Sequence, residues 1–287
     1  MLVCTALILI SIEGAARFGL ERVSRIHRRI MQETAEARNH TQPSVNGRQT
    51  VLLLGNSLLL EGIDVDLFNS LQSRYEAQRY TVEQTFYLDW FYAMRRLFRH
   101  GTRASMAVLC LNAPQFIAPS IRGDYSANVL FDMQDIWPAS RDSDATLTKT
   151  SGYYLAHYSL FYAMRGELRS VLMFRIAPPV VAMWHQAVTR PGVIPPDDQM
   201  IPIMAARLRK LRELCASYGA EFVFLVPPDR QRGDIAMLRA GEQSGVRVLR
   251  PIPNISLPLD FYQEDGFHLN SKGATLFTTG TVNELLK

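Results

Sequence analysis

TVLLLGNSLLLEGID, residues 50–64, decides how the rest of the chain is read. Four apolar residues, Val51 to Leu54, run into the small polar elbow Gly55-Asn56-Ser57, and a second apolar run follows. The pattern fits a plain strand-to-helix turn. It also fits a nucleophile, Ser57, held out at the end of a buried strand. Asp64 closes the stretch as the expected N-cap of a helix over Val65–Tyr75. Further on, strands are predicted at Tyr80–Tyr87, Ser105–Leu111, Glu221–Val226 (halted by Pro227-Pro228) and Val246–Leu249. Helices are predicted over Asp89–Arg99, Met204–Tyr218 and Asp234–Ala240, with a last one from Ser271. This alternation predicts the α/β class: an open parallel sheet of about five strands flanked by helices. Ligands of such sheets bind beyond the carboxyl ends of the strands. Ser57 and Asn112 each stand just past such an end.

Residues 113–203 form a large, mostly helical insertion after the third strand. A helix over Tyr153–Ile176 places Tyr154, Tyr158, Phe161, Met164, Leu168 and Leu172 on one stripe, which reads as core packing. The insertion starts where Asn112 sits, the position of a lid over a site at that edge. It ends in the proline-rich RPGVIPPDD, residues 190–198.

The chain has 287 residues, 47% of them hydrophobic and 20% charged, which excludes a largely disordered protein. Its net charge of +4 is mild, and the arginines gather early, at 17, 22, 25, 28 and 29. No basic stripe with interleaved aromatics recurs later, so nucleic acid is not an expected partner. Cys4, Cys110 and Cys215 lie in apolar contexts without a CxxC pair and read as buried free thiols. His27, His40, His100, His157 and His185 lack metal-ligand spacing, so neither metal nor cofactor is expected.

Residues 1–34 read as a membrane-anchor or amphipathic segment. Leu2 to Ile12 is apolar apart from Thr5 and Ser11, shorter than the roughly 20 residues of a transmembrane helix. Leu20, Val23, Ile26 and Ile30 then recur at near-helical spacing among the arginines. That spacing fits an interfacial helix on a membrane, and equally a surface helix packed on the domain. Residues 35–49, with Pro43 and Gly47, read as a linker, and 50–287 as the main domain.

Near the other end stands YQEDGFHLNSKGATLF, residues 262–277. Asp265 and His268 are three apart and can share one face of a tight turn. A serine nucleophile needs a base to take its proton and an acid to hold that base in the right tautomer. Asp265 on Nδ1 of His268 would leave Nε2 free to face Ser57. The order Ser, Asp, His occurs among serine hydrolases, but no GxSxG pentapeptide surrounds Ser57. The Ser57 backbone N–H and the Asn112 amide are the candidate oxyanion donors.

GNSLLLEG, LNAP and DGFHLNSKG together resemble the blocks of the SGNH (GDSL-like) hydrolase superfamily. Ser57 matches the serine of its first block, Asn112 the asparagine of its third, and Asp265 and His268 the DxxH of its fifth. The resemblance covers roughly Thr50–Asn112 and Glu221–Lys287. It implies a flavodoxin-like sheet and an acyl-serine route for ester hydrolysis or acyl transfer. Asn56 replaces the usual aspartate, and Cys110 and Ala113 stand where the third block has glycine and aspartate. The second block's oxyanion glycine has no match between Gly62 and Gly101, which leaves a backbone N–H near Leu88 or Asp89 as its substitute.

The expected function is a serine esterase or deacylase acting on an ester-bearing small molecule or an O-acetylated glycan. The alternatives are a polysaccharide O-acetyltransferase with the same triad, and a non-catalytic, membrane-attached binding or assembly protein on this scaffold. The resemblance, with an N-terminal anchor, places such a domain outside the cytoplasm. The arginine flank favours the opposite side.

Overall fold

The computed structural model describes residues 2–45, 47–176 and 194–287. Contacts divide the chain into a helical unit, Met1–Arg28 with Arg122–Ile194, and a sheet unit, Arg29–Ile121 with Pro195–Lys287.

The sheet unit is built on β2 (Arg48–Gly55), β3 (Tyr75–Thr81), β4 (Met106–Cys110), β5 (Glu221–Leu225) and β6 (Arg247–Leu249). These five are parallel, in the order β3-β2-β4-β5-β6, and a two-residue strand β1 (Ser44–Val45) pairs antiparallel with the start of β2. Counting only the parallel strands, the order is 2-1-3-4-5, the flavodoxin-like arrangement. The apolar runs are unbroken because both faces are covered. One face presents Leu53, Val108 and Val223 in register to α3 (Ser57–Gly62), α4 (Val65–Ser70) and α13 (Ser271–Leu285), with Leu59, Phe68 and Phe277 in the same core. The other presents Leu54, Leu109 and Phe224. Here Phe116 of α6 (Ala113–Ile117) packs edge-on to Phe224 and to Tyr87 of α5 (Tyr87–Arg99).

The second strand lies earlier than its expected place at Tyr80–Tyr87, and the helix before it ends at Ser70 rather than Tyr75. The cause is the edge position of β3, whose polar residues bond to a neighbouring helix and so disguise the strand. That helix is α2 (Arg25–Asn39). Its Glu33 accepts from the backbone N–H and hydroxyl of Thr81 at 2.7 and 2.8 Å and pairs with Arg79. Gln78 donates to Glu36, and Thr102 donates to the Ala37 carbonyl. Covering an edge strand this way blocks pairing with another chain. Residues 35–39 are therefore the end of a packed helix rather than linker, and 44–45 a strand.

In the helical unit, α1 (Leu2–Val23) ends before Ser24, where α2 starts, so the predicted stripe is split. Ile26 is exposed, whereas Ile30, already in the sheet unit, is fully buried. The insertion contributes α7 (Asp124–Val129), α8 (Met133–Asp142), α9 (Leu147–Tyr158) and α10 (Leu160–Ile176). The single helix expected over Tyr153–Ile176 is thus two, broken at Ser159. The break changes which side chains pack. Tyr153, Ala156, Leu160 and Ala163 are buried; of the predicted stripe Met164 is buried, but Tyr158, Phe161 and Leu168 are exposed. Back in the sheet unit, α11 (Asp197–Ala216) starts earlier than its expected Met204, and α12 covers Asp234–Ser244. Cys110 and Cys215 are buried thiols as expected, but Cys4 is exposed. His185, Leu172 and most of the proline-rich loop fall outside the residues or side chains described. Among the described residues no helix is long and apolar enough to cross a membrane.

Candidate active site

The strand order reverses between β2 and β4, since β3 adds to one side of β2 and β4 to the other. Such a reversal opens a crevice at the carboxyl ends of the two strands. Gly55 pairs with Cys110 in register, so Ser57 and Asn112 each lie two residues past the same rung.

The elbow is fixed by backbone geometry. A Cβ at Gly55 would sit 2.6 Å from the Cys110 carbonyl oxygen, so only glycine lets β2 pass β4 here. Asn56 is extended and fully buried. Its Oδ1 accepts from the Leu58 N–H at 3.0 Å, and its Nδ2 donates to the Thr85 carbonyl at 3.2 Å. An ionised aspartate could make the first bond but not the second, which gives asparagine a reason to stand at this position. The Leu59 and Leu60 N–H groups go to the Asn56 carbonyl. The Ser57 N–H has no hydrogen bond among the described residues.

The loop from the tail is equally constrained. Tyr262 and Leu269 form a bridge, and the Gln263 N–H donates to the His268 carbonyl at 2.7 Å, closing the loop at its base. Gln263 Nε2 also donates to Glu61 at 3.0 Å, tying the loop to the end of α3. At the tip, Gly266 takes φ +64°, a left-handed turn that suits glycine. The turn aims the Phe267 and His268 N–H groups at Asp265 Oδ1, at 2.8 and 3.0 Å.

These supports bring together three of the four expected side chains. His268 Nε2 is 2.9 Å from Ser57 Oγ, and His268 Nδ1 is 2.6 Å from Asp265 Oδ2. Partial burial tends to raise the Asp265 carboxyl. The bonds from the His268 ring and from the His268 and Phe267 N–H groups outweigh it and hold the carboxyl below its usual range. An ionised carboxylate only accepts, so Nδ1 carries the ring proton of a neutral His268, and Nε2 accepts from the Ser57 hydroxyl.

Asn112 occupies the expected strand end, but no direct bond joins it to this chain of three. Its Oδ1 caps α6 by accepting from the Gln115 N–H at 3.0 Å. Its Nδ2 is turned to Asp229, whose carboxyl the amide helps to hold down. At the first turn of α5, the expected location of a further donor, Asp89 accepts from the Phe86 N–H at 2.8 Å. Phe86, at the N-cap, has no side-chain acceptor to offer the Leu88 and Asp89 N–H groups.

Asp229, past the end of β5, was not singled out in the sequence, although Pro227-Pro228 marks the strand end before it. It is 1% exposed. Its Oδ1 accepts from the Gln231 N–H at 3.0 Å and from Asn254 Nδ2 at 2.7 Å, while Oδ2 is buried with no hydrogen-bond partner among the described residues. Burial pushes its pKa up to about 6, against the opposing pull of the Gln231 N–H and the Asn112 amide. Burial, with the charge of Asp229 added, also pushes the Cys110 thiol up, so that sulfur is no nucleophile.

Among the described residues no cluster of His, Cys, Asp and Glu could hold a metal ion. Compared with known protein families and with curated proteins, the chain matches none.

Proposed function

We propose that the sheet unit is a serine esterase or deacylase of the SGNH type. One observation carries the reading: a hydroxyl, an imidazole and a carboxylate, the first two 211 positions apart in the chain, stand in a continuous hydrogen-bonded line. In the forward step Ser57 Oγ attacks the ester carbonyl carbon while its proton moves to His268 Nε2. Asp265 accepts from Nδ1–H throughout and stabilises the imidazolium. The carbonyl oxygen becomes an oxyanion, taken up by the N–H of Ser57, which has no other acceptor among the described residues, and by Nδ2 of Asn112, an amide that also serves Asp229. Collapse breaks the bond to the alcohol, which leaves with the proton from Nε2. Water then enters, gives a proton to His268 and its oxygen to the acyl carbon, and Ser57 is released when the proton returns to Oγ.

The test is Ser57→Ala against a short-chain aryl ester. Turnover should fall by about 10⁴-fold or more. Unchanged hydrolysis by a pure preparation would overturn the assignment. A fluorophosphonate should also label Ser57 in the folded protein. Absence of labelling would favour the non-catalytic scaffold, the reading prompted by the missing second-block glycine. With a sugar hydroxyl in place of water the same steps describe an O-acetyltransferase, and acetyl transfer to oligosaccharide measured against acetate release separates the two.

A further inference from the structure

In the helical unit α1 and α10 are clipped together by one carboxylate. Glu13 accepts from the Ser159 hydroxyl at 2.8 Å and from the Leu160 and Phe161 N–H groups at 2.9 and 3.2 Å, so a side chain of α1 caps the start of α10. Arg17 reinforces the clip, bonding Glu13 at 2.7 Å and the Tyr158 carbonyl at 3.1 Å. These bonds hold the Glu13 carboxyl below its usual range despite partial burial. Two helices distant in sequence are thereby packed against each other.

Both helices carry apolar side chains where water should reach them. On α1, Leu7, Ile10 and Phe18 follow a helical stripe and remain 58%, 67% and 65% exposed. On α10, Leu168, Met173 and Ile176 are exposed as well, Ile176 to 69%. Exposed cations accompany them on the same two helices and at the start of α2. Arg22 stacks over the Phe18 ring at 4.3 Å, Arg25 and Arg28 follow on the exposed surface, and Arg169 is exposed on α10. Of the five arginines from Arg17 to Arg29, Arg17 bonds Glu13 and Arg29 bonds Glu33 and Glu83 in the sheet unit, which leaves Arg22, Arg25 and Arg28 for this face.

We infer that the α1–α10 pair is one docking surface for an anionic lipid bilayer, lying in the headgroup region, with the insertion contributing as much as the N-terminal helix. Exposed aliphatic side chains enter the acyl boundary while arginines meet phosphates, the combination an anionic interface selects. A second copy of this chain is a poorer occupant, because a face-to-face dimer would bring the two arginine groups together. The surface is independent of the Ser57 site, so failure of either proposal leaves the other standing.

The experiment is flotation of the full chain with phosphatidylcholine vesicles, with or without roughly one-third phosphatidylglycerol. The chain should float with the anionic vesicles, and raising salt should weaken binding. Met173→Glu with Ile176→Glu on α10, and separately Leu7→Glu with Ile10→Glu on α1, should each lower partitioning at least about tenfold. Circular dichroism and thermal melting establish that these variants fold. Arg22→Gln, Arg25→Gln and Arg28→Gln together should abolish the preference for anionic vesicles while leaving the apolar face intact. Wild-type binding by the α10 pair beside loss in the α1 pair would overturn the shared surface. Failure to float with either vesicle, or self-association in its place, would overturn the lipid assignment.

Discussion

Asp265 and Asp229 belong to the same sheet unit, and the fold treats the two carboxyls in opposite ways. Asp265 keeps 47% of its side chain exposed, yet three donors hold it ionised. Asp229 is sealed from water, has two direct donors, both on one oxygen, with the Asn112 amide as a further pull, and is still driven toward its neutral form. The difference shows that donor count and solvent access, rather than residue type, set what an aspartate does here. The acid with the proposed catalytic duty is the one left near water.

The sharpest way to break the comparison is to remove each charge. Asp265→Asn leaves an amide that can donate to Nδ1 and so favour the wrong tautomer of His268. In a buried triad this costs about 10⁴-fold, and the exposure of Asp265 makes a loss of about 10²–10³-fold in kcat/KM the expected result. A loss no larger than that of Asp229→Asn would erase the distinction.

For stability, Asp229→Asn should act in the other direction. A carboxyl raised in the folded state binds its proton more tightly folded than unfolded. Its contribution therefore declines as pH rises from the unfolded value toward the folded value of about 6, and is flat above. Removing the charge should stabilise the protein at pH 8, by up to about 3 kcal/mol for a shift of this size, and change little at pH 4. Urea denaturation at the two pH values measures it.

Asp265 has the reverse sign. Its carboxyl is depressed in the folded state, so its contribution is present above the unfolded value and disappears only as pH falls through the lower folded one. In Asp265→Asn, melting curves should match wild type in strong acid and separate modestly as pH rises through the folded value to the ordinary aspartate value, with a constant gap above it.

The smallest effect is expected at Asn254, which donates to Asp229 Oδ1 and to the Gln231 carbonyl. Asn254→Ala should destabilise the protein by about 1–2 kcal/mol at pH 8 and by less at pH 5, where Asp229 no longer needs the donor. Equal losses at both would show that the bond to Gln231 dominates.

Much of this was legible in the sequence where a segment is buried on both faces. Val51–Leu54 and Met106–Cys110 announce strands because nothing polar interrupts them, Ser57 and Asn112 stood out by their places past strand ends, and Asp265 and His268 by their spacing of three. The edge strand β3 was missed because Gln78 and Arg79 bond to α2 instead of facing a core, a tertiary fact that no local pattern carries. The helix break at Ser159 was missed because the residue that caps the new helix, Glu13, lies 146 positions away. Asp229 was overlooked for a similar reason: its burial depends on elements that meet only in the fold.

The sheet unit is made of two stretches of chain, Arg29–Ile121 and Pro195–Lys287, with the helical insertion spliced between them. Ser57 and Asn112 travel on the first stretch, Asp265 and His268 on the second. Each fragment carries strands that lack their neighbours and one half of the proposed reacting groups. Severed within the insertion, the chain becomes a natural subject for fragment complementation, in which the proposed chemistry should return only when β4 and β5 find each other again.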